Sequence, residues 1–268
     1  MRSPPRVRTC SPDSATPSSE VSAPVFLVDA ERLRASERIV LDGEEGRHAA
    51  VVRRIGLGES VELTDGAGHV ARSVVVDADR VGLVCQVRER IDVPQPAPRL
   101  VVAQALAKGN RGELAVETLT EVGVDEIVPW SAQRCVVRWD GERGVRALQR
   151  WRSTAREAGK QSRRAWLPVV TEPATTRQLA ERMTTATLTI VLHEEATTSL
   201  MAIDLPEQGD VMLVVGPEGG IAPDELDVFA SSGAQTAILG PNVLRTSTAG
   251  TVAAGVLLLR TVRWATRR

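Results

Sequence analysis

The sequence carries no surplus of charge. Its 33 Lys and Arg residues stand against 34 Asp and Glu, a formal net charge of -1. The global basic signature of a nucleic-acid binder is therefore missing, and any attraction to RNA must come from local patches. Cysteine is scarce. Cys10, Cys85 and Cys135 lie too far apart for a CxxC pair, which argues against structural zinc and for a reducing, cytoplasmic setting rather than a disulfide framework. Long apolar runs are also lacking: a membrane span needs roughly 18 such residues. The best stretch, Ala249 to Leu259, contains Gly250 and Gly255 and falls well short, so it reads as a buried helix. The first residues, 1 to 22, are rich in Ser, Pro and Thr and hold no signal-peptide core, which predicts a disordered extension.

What is present is a globular composition, 43% hydrophobic over 268 residues, enough for a sizeable core and two ordinary domains. From Val25 to Val93 the apolar positions alternate with period two, in VFLVDA, RIVL, SVELTDGAGHVARSVVV and VGLVCQVRERI, with Asp42-Gly43 and Asp65-Gly66 as turn signals. This predicts a small, mostly β domain over 23–93. Prolines crowd DVPQPAP and favour an extended connection, so the linker is placed at 94–98. Beyond it, over 99–268, strands alternate with helices expected at Arg111 to Val122, Glu142 to Lys160 and Thr176 to Met183, then from Pro223 and from Leu244. Such alternation implies a parallel sheet covered on both faces, with ligands at the carboxyl ends of its strands.

Three predicted strand ends carry residues suited to a pocket. Val214-Val215 runs into Gly216-Pro217-Glu218-Gly219-Gly220, where glycines let backbone amides approach a ligand. The turn matches neither the phosphate-binding GxxxxGK[ST] pattern nor GxGxxG. From Met212 to Asp227 there are acids, Glu218, Asp224, Glu225 and Asp227, and no Lys or Arg, a fair cradle for a cationic ligand, although acids after Pro223 also suit a helix N-terminus. A second strand ends at Leu239-Gly240-Pro241, followed by Leu244-Arg245-Thr246-Ser247, whose hydroxyls can cap the last helix and whose Arg245 stands at the mouth of the sheet. A third ends at His193-Glu194.

Basic residues concentrate between Arg150 and Arg164 against a single acid, Glu157. At about 100° per residue, Arg152, Arg156, Lys160 and Arg163 share an arc of roughly 80°. Trp151, Ala155 and Ala158 occupy the adjacent arc and can pack inward, so the stripe is expected on the solvent side, with RNA phosphate as its counter-charge. Arg164, Lys108 with Arg111, Arg134 with Arg138, and Arg53 with Arg54 are further candidates for that surface.

At these residues the chain resembles the RsmE family of 16S ribosomal RNA (uracil-N3)-methyltransferases. The resemblance rests on His48-Ala-Ala-Val-Val-Arg53-Arg54, Lys108-Gly-Asn-Arg111, Glu117-Thr-Leu-Thr-Glu121-Val-Gly123-Val, Arg134-Cys135, Glu157-Ala-Gly-Lys-Gln161-Ser162-Arg163-Arg164, Gly216-Pro-Glu-Gly-Gly220 and Leu244-Arg-Thr-Ser-Thr-Ala249. It implies an α/β fold of the SPOUT class, a trefoil-knotted C-terminal parallel-sheet domain with an N-terminal PUA-like β-barrel domain, and a homodimer. It also implies S-adenosylmethionine as cofactor, no metal, and 16S RNA of the 30S subunit or a late precursor as substrate. On this basis His193, Glu194, Gly216 to Gly220, Leu239, Gly240, Leu244, Thr246 and Ser247 are expected to hold the cofactor, and Arg245 to orient the uracil or stabilise charge on its carbonyls. Two other readings stand beside it: a non-catalytic RNA-binding assembly factor, and a methyltransferase of the same class acting on another RNA.

Overall fold

A computed structural model describes residues 23–264, organised around two sheets. The extension expected over residues 1–22, with Cys10, lies outside the described residues. The first sheet takes β1 (Val25–Leu27), β2 (Arg38–Leu41), β3 (Ser60–Thr64), β4 (His69–Ala78) and β5 (Leu83–Asp92) in the order β1-β3-β4-β5-β2. Its pairs are antiparallel apart from β1 with β3. The period-two pattern has the expected consequence: β2 buries Ile39 and Leu41 while Arg38 and Val40 face outward. They join Phe26, Val61, Leu63 and Cys85 in a core of their own.

Sequence periodicity missed three short pieces here, α1 (Ala30–Ala35), α2 (Gly43–Arg47) and the π-helical turn His48–Val52 that continues it. Each contributes one buried residue, Leu33, Gly46 and Ala49 respectively, too few to establish a 3.6-residue period. Gly46 is required because a Cβ there would collide with the Leu41 carbonyl of β2.

The second sheet collects β6 (Arg99–Ala105), β7 (Glu126–Ser131), β8 (Val169–Val170), β9 (Ala174–Thr175), β10 (Leu188–Leu192), β11 (Asp210–Val215) and β12 (Gln235–Ala237). All pairs are parallel, in the order β12-β10-β11-β6-β7-β8, with β9 also on β7. Between strands run α3 (Arg111–Val122), α4 (Gly141–Gln161), α5 (Thr176–Met183) and α6 (Pro223–Ser231), and after β12 comes α7 (Thr246–Leu259). The central strands are near-continuous apolar runs because helices cover both faces. Local signals set the helix ends: Gly123 caps α3 in the left-handed region at φ 109, and Thr175 with Gln178 forms a capping box on α5. Chain order reverses beside β6, which pairs with β7 on one side and β11 on the other.

The α4 stripe departs from expectation. Trp151, Ala155 and Ala158 pack inward as predicted, but the cationic face is not an uncompensated solvent surface. Lys160 is 8% exposed and donates to Glu45 of α2 at 2.9 Å and to Glu157 at 3.2 Å. Arg156 pairs with the same Glu45 at 3.2 Å, and Arg152 with Glu172 at 2.8 Å. Arg164 donates to the carbonyls of Thr120 and Val124 at the end of α3 and pairs with Asp125. The missing counter-charge is therefore supplied largely from within the protein. Beside it, the β3–β4 turn docks on the segment after α4: Gly68 N–H donates to Ala165 O, Leu167 N–H to Gly66 O, and Trp166 Nε1 to Val93 O, each at 2.9 Å. Gly66 and Gly68 have positive φ, and Cβ atoms on them would come within 2.9 Å of Leu167 and 2.6 Å of Trp166.

Candidate active site at the carboxyl ends of the strands

A cavity of about 390 Å³ opens where β10, β11 and β12 end. Its walls are Leu192, the last residue of β10, with His193 and Glu194 after it, Gly216, Pro217, Glu218 and Gly220 after β11, and Ile238, Leu239 and Gly240 after β12. Leu244, Arg245 and Thr246 at the start of α7 close it. The three strand ends singled out in the sequence thus meet in one site. Parallel register brings them level, since β10 pairs with both β11 and β12.

Two expected cofactor residues lie off the cavity wall. Ser247 is buried in the first turn of α7, and Gly219 faces Arg134, whose Cβ lies 3.3 Å from where a Gly219 side chain would begin. Thr246 lines the cavity, yet its hydroxyl does not cap α7: it donates to Gly216 O at 2.8 Å, tying the helix start to the end of β11. The last helix begins at Thr246 rather than Leu244, with Arg245 in the N-cap position. His193 Nδ1 accepts from Glu195 N–H at 3.3 Å, a local turn contact.

The acidic cradle is also redistributed. Glu225 is buried and accepts from Gln133 N–H, Thr176 Oγ1 and Ala222 N–H, a cap and cross-link for α6. Glu218 accepts from Lys108 N–H at 3.3 Å and pairs with Arg111 at 3.2 Å. Burial pushes its carboxyl upward, but hydrogen bonds from its own and the Lys108 backbone N–H and the Arg111 guanidinium outweigh this and hold it below the ordinary range. Glu194 is the exposed carboxylate on the cavity wall without a hydrogen-bond partner among the described residues.

Among the expected RNA-facing residues, Arg111 instead forms part of the cavity wall. Arg134 donates to Gly219 O at 3.2 Å and props the glycine turn. Arg138 is exposed, donating to Gln133 O at 3.4 Å. Lys108 and Arg163 are exposed, as are Arg53 and Arg54 at the end of the π-helical turn, Arg54 with φ 54 and Arg163 with φ 56. Arg245 is exposed at the cavity rim; its carbonyl accepts from Thr248 N–H and Ala249 N–H, each at 2.8 Å, while its guanidinium makes no hydrogen bond or ion pair among the described residues. The sequence reading passed over Leu192, Ile238 and Asn242 as wall residues, and over Gln104, 0% exposed in β6. Apolar wall positions carry no local signal, and a glutamine inside a strand reads as an interruption of it.

The family model of the RNA methyltransferase domain matches residues 94–258, and that of the RNA methyltransferase PUA domain matches 41–87. A ribosomal RNA small subunit methyltransferase E from Mycobacterium bovis is 48% identical over 229 residues, 84% of this chain and 87% of that protein. The chain belongs to the ribosomal RNA small subunit methyltransferase E family. A methyltransferase E from Bacillus subtilis is 29% identical, over 78% of this chain and 85% of its own length. A structure from Legionella pneumophila, described as a methyltransferase in complex with the bound cofactor SAM, is 27% identical with a TM-score of 0.81, covering 90% of this chain and 99% of that one. The motif resemblance is thereby borne out: this methyltransferase E chain is an enzyme with a PUA-like sheet ahead of an α/β methyltransferase domain.

Proposed function

We propose that this chain binds S-adenosylmethionine in the strand-end cavity and methylates N3 of one uridine in the 16S ribosomal RNA of the small subunit. The observation that carries the reading is the cavity, where backbone from three adjacent strand ends surrounds about 390 Å³ and the Arg245 guanidinium stands unpartnered at the rim among the described residues. That volume lies within the roughly 300 to 1,000 Å³ of small-molecule sites. The relatives' names, and the SAM of the Legionella structure, support the choice of substrate and cofactor.

The residues fit the group. Gly216, Gly220 and Gly240 put no side chain between the backbone and adenine or ribose, Leu192, Ile238 and Leu244 give apolar walls for a purine, and Glu194 suits a positive ligand. When bound, the cofactor supplies a methyl group already activated by its sulfonium. The protein's part is positioning and electrostatics. Arg245 addresses a uracil carbonyl with its planar fork and stabilises the negative charge that develops as N3 gives up its proton. The target base is unpaired or flipped out, because pairing hides N3. The N-terminal sheet and the exposed Arg53 and Arg54 engage RNA of the 30S subunit or a late precursor, and the enzyme works as a cytoplasmic homodimer. Nucleoside mass spectrometry of 16S RNA from a deletion strain, with and without the restored chain, tests this. Loss and recovery of one N3-methyluridine is expected; an unchanged methylation profile would refute it.

A further inference from the structure

Gln104 lies in the middle of the methyltransferase domain, on β6, with none of its surface exposed. Its Nε2 sits among three acceptors: it donates to Thr246 Oγ1 at 2.9 Å, to Ala105 O at 3.3 Å and to Thr246 O at 3.4 Å. Three acceptors around one atom decide the orientation of the amide, which leaves Oε1 buried without a hydrogen-bond partner among the described residues. Because Thr246 Oγ1 accepts from Gln104, its one proton is directed to Gly216 O, at 2.8 Å. Gly250, one turn along α7, permits the approach: a Cβ there would stand 3.3 Å from Gln104 Oε1 and 3.2 Å from Val215.

We infer that Gln104 is a positioning residue for the cofactor turn, acting through Thr246 to fix the carbonyl of Gly216. The relay runs from the central strand through the first residue of α7 to the first residue of the glycine-rich turn. It sets the direction of the Thr246 hydroxyl and so the tilt of the peptide between Gly216 and Pro217, a wall of the cavity. Burying an acceptor without a partner disfavours folding. A methionine would fill the same space without that penalty, so stability alone does not account for an amide here.

The inference rests on the cofactor reading, and the test separates the two. S-adenosylmethionine affinity, methylation kinetics and thermal stability are measured for the wild type, Gln104→Met, Thr246→Val, the double variant and Thr246→Ser. Gln104→Met is expected to melt at or above the wild-type temperature, since it keeps the volume and removes the orphaned acceptor. Its dissociation constant and KM for S-adenosylmethionine should rise about tenfold, the scale of one oriented hydrogen bond, with kcat at saturating cofactor changed by about threefold at most. Thr246→Val should give a similar loss, Thr246→Ser should recover most of it, and the double variant should be no worse than the poorer single, because both break one relay. Unchanged affinity in Gln104→Met, additive losses in the double variant, or affinity lost only in step with melting temperature would overturn the inference. A wild-type protein that fails to bind S-adenosylmethionine would instead remove the cofactor assignment, and the relay's role with it.

Discussion

Arg245 and Glu218 sit on one cavity and have opposite circumstances. The Arg245 guanidinium has no partner among the described residues, so truncating the side chain leaves no buried group unsatisfied. Arg245→Ala should therefore keep the melting temperature and cofactor affinity near wild type while methyl transfer falls about a hundred- to thousandfold, the loss typical of an oxyanion-hole donor. Single-turnover methylation beside cofactor titration measures both. Arg245→Lys should recover only part of the rate, because an ammonium restores charge without the two parallel donors. Glu218 is tied to Arg111 and to the Lys108 backbone, and its carboxyl is held below the ordinary carboxylate range. A depressed carboxylate stabilises the fold in full above its unfolded pKa, and that contribution disappears as pH falls through the lower folded value. Glu218→Gln should consequently flatten the acid side of the melting-temperature profile below about pH 4.5. A parallel profile would show that the pair adds nothing.

At the scale of elements, α7 and the segment after α4 decide how the catalytic domain closes. The α7 helix reaches β6 and β11 because Gly250 allows it: an added Cβ would meet Val215 at 3.2 Å, Gln104 at 3.3 Å and Leu119 at 3.4 Å, all in a close-packed interior. Gly250→Val should cost about 1 to 3 kcal/mol through overpacking, measurable in urea unfolding as a lower midpoint with an unchanged slope. Arg164 belongs to the same scale. It binds the carbonyls of Thr120 in the last turn of α3 and Val124 just beyond its cap, and shares Asp125 with Arg263, whose contacts are 2.6 and 3.0 Å. Its side chain is a clamp between helix ends, 10% exposed.

For the whole molecule, the placement of one sheet against the other determines where RNA can be held. Glu45 reaches from the first sheet's side to Arg156 and Lys160, and the β3–β4 turn fits against Trp166 and Leu167. These contacts use up α4 charges that would otherwise face phosphate. Arg53 and Arg54, exposed and unpaired among the described residues, remain available. The double variant Arg53→Ala with Arg54→Ala should lower the slope of log affinity against log salt by up to about two units, about one per lost phosphate contact. Lys160→Met should leave that slope unchanged. Filter binding to 16S RNA fragments across a salt series distinguishes them; a slope that follows Lys160 would return the interface to α4.

Sequence alone determined those features that local chemistry controls. Parallel strands buried on both faces must be near-continuous apolar runs, so β6, β7, β10 and β11 stand out, and Gly123 and Pro223 punctuate their helices because few residues suit those backbone positions. Three strand ends with glycines and polar residues pointed to one pocket for the same reason, since a parallel sheet presents its strand ends together. Tertiary structure alone decided which charges were spent. Helical periodicity places Lys160 on a cationic arc, but only the docking of α2 reveals that Glu45 neutralises it across 115 positions of sequence. Likewise Gln104 and Thr246, separated by 142 positions, become partners only when α7 folds back over β6. Side-chain pairing between distant segments follows from packing geometry, and no window of local sequence contains it.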